Sequence, residues 1–358
     1  MIGESRSVPG GGAMSVEEIE HGLARLRMNA DGAMGARASV LDLIVVTDEE
    51  SAPGISKVVS DLSGHYPSRA ILMISDPDER EANLDICLSA FCSVRPGMPG
   101  GSQTCAEQIT IHVEGPPAKH LESLAGPLLL PDLPVFLWFP NGEIPGPEYA
   151  GVVALADRLI LDSGSVDEGE AFLRNVANLC TDGSLGVGDL QWAALSPWRS
   201  LLADHFAPAD RSGDLEQIRR VEVLHRPTGE SRALLFAGWL ASALGWRPQR
   251  TFRTVREREF VFSGPAGEVT VALSPDSPDV RLRRVRVLCE ERSYQVSRHR
   301  ELSEIRSTAM HCDELLTERT VHFGSFDPAV LVGEELRYRG RDGIYEAALR
   351  MAVEMLDL

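Results

Sequence analysis

The chain has 358 residues, 43% of them hydrophobic and 25% charged, which is enough for about two domains with full cores. Its 32 glycines and 22 prolines are ordinary for a globular protein, so collagen-like and wholly disordered classes are excluded. Lysine and arginine total 35 against 53 acids, a formal charge of −18, which argues against wrapping nucleic acid or lying on anionic lipid as the main task.

Residues 1–14 are rich in Gly, Ser and Pro without periodicity and read as a flexible tail, with Met14 an alternative start. Ser15, followed by Glu17 and Glu18, predicts a helix N-terminus, and Ile19, Leu23 and Leu26 recur at helical spacing. The apolar run Val40 to Val46, the stripe Ile55, Val58, Val59 and Leu62, and the run Ala70 to Ile74 predict a strand, helix, strand order, a parallel βαβ unit. Residues 84–94 and 104–113 alternate as half-buried antiparallel strands do, so a mixed sheet follows. A helix over 121–129, a strand over Val135 to Phe139, a strand over Arg158 to Leu161 and a helix over 168–179 complete an α/β domain. Pro197 opens another helix and Pro208 ends it.

Beyond residue 210 the texture changes. A helix over 231–244 stops at Gly245, strand-length stretches follow at 259–263, 268–273, 280–290, 294–300 and 304–310, and a last helix spans about 343–358. The expectation is a tail (1–14), an N-terminal α/β domain with a mixed, mostly parallel sheet (15–208), and a C-terminal α+β domain with an antiparallel meander (209–358).

Chemistry is sparse. No CxxC pair occurs among the cysteines at 87, 92, 105, 180, 289 and 312, which are expected to be core thiols in a reducing cytoplasm, although Cys87 or Cys92 has Cys105 within reach on a neighbouring strand. No run approaches the roughly 20 apolar residues that span a bilayer. The turn after the first strand, Thr47-Asp48-Glu49-Glu50, repels phosphate, and neither GxGxxG nor GxxxxGK[ST] is present. No metal-ligand spacing, nucleophile elbow or cofactor fingerprint stands out, so no catalytic, metal or cofactor-binding residue is assigned.

Two features point to a partner surface. His65, Ser68 and Arg69 enter the second strand where α/β sheets expose functional loops. The tryptophans include Trp138, Trp192 and Trp198, the last followed by Arg199, and Trp and Arg are enriched at interface hot spots. Arginines cluster at 247–258 and again at Arg281, Arg283 and Arg286, giving the second domain a basic face.

The words GHYPSRAI (64–71), PLLLPDLPVFLWFP (127–140), DRLILDS (157–163), DLQWAALSPWRSLLA (189–203) and GWLASALGW (238–246) occur in this order. Together they resemble the glucose-6-phosphate dehydrogenase assembly protein family, OpcA, over roughly residues 37–355. The resemblance implies a cytoplasmic, non-catalytic protein with no cofactor that binds glucose-6-phosphate dehydrogenase and promotes its active oligomer in the oxidative pentose phosphate pathway, without nucleic acid or membrane as partners. The competing expectation is an enzyme or sensor that binds a sugar phosphate or nucleotide at the C-terminal edge of the first sheet.

Overall fold

In a computed structural model, the structure describes residues 4–8, 14–28, 36–37, 39–94, 103–183, 185–275, 281–298, 304–312, 314–322 and 326–358. The described elements run β1 (Glu4–Val8), α1 (Val16–Leu26), β2 (Ala36–Arg37), β3 (Asp42–Thr47), α2 (Ala52–Ser63), β4 (Arg69–Asp76), β5 (Asn83–Val94), β6 (Gln103–Glu114), α3 (Leu121–Ala125), β7 (Val135–Trp138), α4 (Ala150–Val153) and β8 (Arg158–Leu161). They continue with α5 (Gly169–Leu179), β9 (Gly186–Asp189), α6 (Leu190–Ala193), α7 (Ser196–Phe206), β10 (Arg220–His225), α8 (Glu230–Ala243), β11 (Arg247–Arg253), β12 (Arg258–Gly264), β13 (Gly267–Pro275), β14 (Leu282–Leu288), β15 (Arg292–Arg298), β16 (Glu304–His311), β17 (Glu314–His322), α9 (Pro328–Glu335) and α10 (Gly343–Leu356).

Two compact units result. The first comprises Met1–Asp162, Gly183–Val187 and Pro328–Arg341, and the second Ser163–Asp182, Gly188–Asp327 and Asp342–Leu358. The division falls at Asp162 rather than near residue 208, because α6 packs on α8 and α7 packs on β15 and β16. Residues 4–8, expected as part of a flexible tail, form a strand paired antiparallel with β5, while residues 1–3 and 9–13 lie outside the described residues.

The sheet carrying the first unit has the order β1-β5-β6-β4-β3-β7-β8-β9, with β2 added alongside β6. Its centre is parallel: β3 pairs with β4 and β7, and β4 with β6, while β5 joins β6 antiparallel. Strands β3 and β4 are buried along almost their whole length, which is why they read as unbroken apolar runs instead of alternating ones. Helix α1 begins at a capping box in which Ser15 and Glu18 satisfy each other's backbone, and it buries Ile19, Leu23 and Leu26.

Two buried ion pairs tie distant segments of this unit. Arg69, 1% exposed, pairs with Glu107 at 2.8 Å and with Glu20 at 2.5 Å, and donates to the Leu128 carbonyl at 3.0 Å. Arg158 pairs with Glu335 at 2.5 Å, both nearly inaccessible, and also donates to the Gly340 carbonyl. The expectation of six free core thiols is corrected at one pair. The antiparallel register sets Cys92 opposite Cys105 and the two form a disulfide, whereas Cys87, Cys180, Cys289 and Cys312 form none.

The second unit is built on an eight-stranded sheet of order β11-β12-β13-β10-β14-β15-β16-β17, antiparallel except for β10 beside β13. One face buries Val221, Val223, Val285, Val287, Tyr294 and Val296. Helices α8 and α10 pack so closely that a Cβ on Gly238 would collide with the Ala348 carbonyl, which explains a glycine inside an otherwise apolar helix.

Candidate functional site

In open parallel sheets ligands bind beyond the carboxyl ends of the strands where the strand order reverses. Here that point lies at β3, which has β4 on one side and β7 on the other. A cavity of about 580 Å³ sits there, lined by the ends of β3, β4, β6 and the segment after β7. Seven carboxylates line it, from Asp48, Glu49, Asp76, Asp78, Glu114, Glu143 and Glu148, against His112 and Lys119. Burial, with Glu143, Glu148, Asp78 and Asp76 adding to it, pushes the Tyr149 phenol up. Such a wall disfavours a bare phosphate at the place a nucleotide occupies in this topology.

The residues singled out from the sequence scatter. His65 is exposed in the turn before β4. Ser68 and Arg69 are buried, Arg69 as the ion-pair anchor described above. Trp138, Trp192 and Trp198 are core residues, 1%, 3% and 0% exposed, so their expected place on a partner surface is corrected. Trp138 is part of a strand buried throughout, and Trp192 donates its indole N–H to Asp342 at 2.9 Å. Arg199 stacks its guanidinium 3.3 Å from the Trp192 ring centre and donates to the Trp192 carbonyl, so it supports that core.

The arginines of β14 lie differently from their sequence spacing. A register shift opposite Leu224 and His225 interrupts the alternation, so the two that flank buried Val285 on one face are Arg284 and Arg286. Arg283 is exposed, and Arg281 precedes the strand with its guanidinium seated against Gly164. On the half-exposed face, Arg286 stands opposite Glu222 on β10 and Gln295 on β15, while Arg220 bridges to Glu259 at 2.8 Å with Glu222 and Glu257 nearby. The sequence reading missed Arg284, because only the bulge distinguishes it from Arg283.

Among the described residues no helix is long and apolar enough to cross a membrane, and no group of three His, Cys, Asp or Glu is placed to hold a metal ion.

Comparison with known proteins adds the following. A family model described as the glucose-6-phosphate dehydrogenase subunit N-terminal domain matches residues 59–178, and one described as the C-terminal domain matches 185–349. A "putative OxPP cycle protein OpcA" of Synechocystis is 26% identical over 54% of this chain and 40% of its own length. The protein of the same description in Synechococcus elongatus is 25% identical over 73% of this chain and 62% of its own. The chain thus spans about half the length of the curated relatives it matches. Among solved structures, KijD10, a 3-ketoreductase from Actinomadura kijaniata, aligns with a TM-score of 0.51 over 89% of this chain and 96% of its own at 10% identity, a likeness of fold alone.

Proposed function

Because the chain belongs to the glucose-6-phosphate dehydrogenase assembly protein family, OpcA, we propose that it is a non-catalytic partner that binds glucose-6-phosphate dehydrogenase and favours its active oligomer. The observation that carries this reading is the pair of adjacent family models covering most of the chain in order. The acid-walled cleft supports it, since the fold's usual nucleotide position is hostile to phosphate and offers no cradle for a cofactor's pyrophosphate. The competing sugar-phosphate or nucleotide enzyme at that same edge loses its footing there for the same reason.

An accessory protein changes its partner's activity only through its different affinity for active and inactive forms. A tenfold rise in activity corresponds to about 1.4 kcal/mol of such preference. The half-exposed face bearing Arg284 and Arg286 is our choice for the contact, because rim charges act mainly on the association rate.

The test mixes the purified chain with the dehydrogenase of the same cell and follows co-elution and initial rate together. Co-elution with a raised rate is the expected result; the absence of both overturns the reading. Replacing Arg284 and Arg286 by Ser is expected to slow association severalfold at low salt and flatten its salt dependence, with dissociation little changed. Association as fast as wild type at low salt moves the contact elsewhere.

A further inference from the structure

The cleft at the carboxyl ends of β3, β4 and β6 carries a charge that the surrounding residues do not balance. Its cavity of about 580 Å³ is in the size range of small-molecule sites. Among the described residues no lysine or arginine stands within ion-pair distance of any of its seven carboxylates; Lys119, in the lining, lies beyond it, and His112 comes within 3.3 Å of Glu49. Other polar neighbours are neutral: Asp48 accepts from the Asn141 amide and the Ser51 backbone N–H, and Asp76 from the Asp78 backbone N–H. Asp76 and Asp78, at the end of β4, and Glu143 and Glu148, beyond β7, all act on the Tyr149 phenol, so acids from two segments converge on one point.

The lining adds a second, independent observation. Thr47, 5% exposed, ends β3 in the cavity wall, and its hydroxyl has no hydrogen-bond partner. The Ser75 hydroxyl on the adjacent β4, also in the lining, has none either. Buried hydroxyls are ordinarily bonded, so two orphans at neighbouring strand ends offer acceptors to a donor brought from outside. The acids are spread round the cavity rather than gathered: among the described residues no three acids or histidines are grouped to hold a metal ion. The matching cation therefore carries its charge at several separated points.

We propose that this cleft binds a linear aliphatic polyamine, with its ammonium groups against the carboxylates and the orphan hydroxyls. A terminal ammonium is a compact cation with three donors and no acceptor, so it meets one or two carboxylates at a time and donates a remaining proton to Thr47 or Ser75. The carbon segments between ammonium groups rest on Phe139 and Tyr149, whose rings pack edge to face 5.2 Å apart in the lining. The charge that disfavours phosphate here is thus the charge that selects the ligand. The inference goes beyond the partner role and does not depend on it, because the test needs no dehydrogenase.

The full chain is titrated calorimetrically with spermidine, with magnesium and with an uncharged diol at fixed ionic strength. Spermidine is expected to bind at a single site, more weakly as salt rises, with magnesium severalfold weaker and the diol silent. The double variant Asp78→Asn with Glu143→Gln should weaken spermidine by about tenfold. Glu17→Gln, which removes an exposed acid of α1 outside the cavity, leaves it unchanged. Thr47→Val should weaken spermidine severalfold without lowering the thermal midpoint of the free chain, because it removes a hydroxyl that no protein group satisfies. Circular dichroism checks that each variant folds. No spermidine binding by the folded wild type, magnesium binding as tightly as spermidine, or unchanged affinity in the folded double variant overturns the proposal.

Discussion

The two units differ in how completely their arginines are paired. In the first, Arg69 and Arg158 enter the core with carboxylates already beside them, and the surplus acids collect around the cleft at the carboxyl ends of the strands. In the second, Arg220 and Arg258 are paired in the same way, whereas Arg281 and Arg298, half-buried, have no carboxylate within ion-pair distance among the described residues. The same side chain is thus a completed structural cross-link in one place and, among the described residues, an incomplete one in the other.

The largest expected effect breaks the completed kind. Arg158→Met leaves the Glu335 carboxylate buried without its partner, and removing one member of a buried pair costs about 3–5 kcal/mol. Denaturant unfolding of the variant should show a loss of this size, and the double replacement Arg158→Met with Glu335→Leu should recover much of it. A single variant within 1 kcal/mol of wild type would show that the pair contributes no more than a surface bridge.

A middle case is a buried base that can discharge. Burial first, then Arg211, lowers the pKa of His205, against a smaller opposing pull from Asp204; its Nε2 lies 2.6 Å from the Ser307 hydroxyl. The folded pKa lies below the unfolded one, near 6.5, so as pH falls through that value the unfolded state takes up more protons than the folded one. Stability contributed by neutral His205 is therefore fully present above about pH 7 and is lost on acidification, continuing until the folded pKa is passed. Burial lowers His225 likewise, with the Arg226 carbonyl and Glu230 opposing, so part of the slope is its own. Thermal midpoints measured between pH 7.5 and 5 should fall less steeply in His205→Gln than in wild type. Identical slopes would assign the acid sensitivity to other groups.

The smallest effect sharpens the incomplete kind. Arg298→Met, removing a half-buried charge without an acid partner, should change unfolding free energy by no more than about 0.5 kcal/mol or raise it, in contrast to Arg158→Met. A loss approaching that of Arg158→Met would mean that Arg298 has a structural counter-ion after all.

Much of the first sheet was legible, for a physical reason: β3 and β4 are buried on both faces, and Ile19, Leu23 and Leu26 lie on one helical stripe. Strand β17 was not, because its residues from Glu314 to Thr320 are all exposed and carry no alternation. Strand β11 escaped notice for the same reason, with five of its seven positions exposed. The arginine cluster was half legible. Arg281 stood out by composition, but its approach to Gln191 and the packing of Arg232 and Arg298 on Phe326 arise only through tertiary structure, and no local pattern marks them. Tryptophan misled in the other direction: rarity suggested an interface, yet Trp138 and Trp198 fill the core.

The pairing of Arg158 with Glu335 spans 177 residues of sequence, and the segment Pro328–Arg341 belongs to the first unit although the second lies between them in the chain. A ribosome adds about 5–20 residues per second, so Arg158 waits roughly 10–35 s after synthesis for its carboxylate to be made. During that interval Arg158 has only water to solvate its charge, so its burial is coupled to the arrival of Glu335. The order of synthesis therefore makes the strand and turn that hold Arg158 wait for a segment that follows the bulk of the second unit.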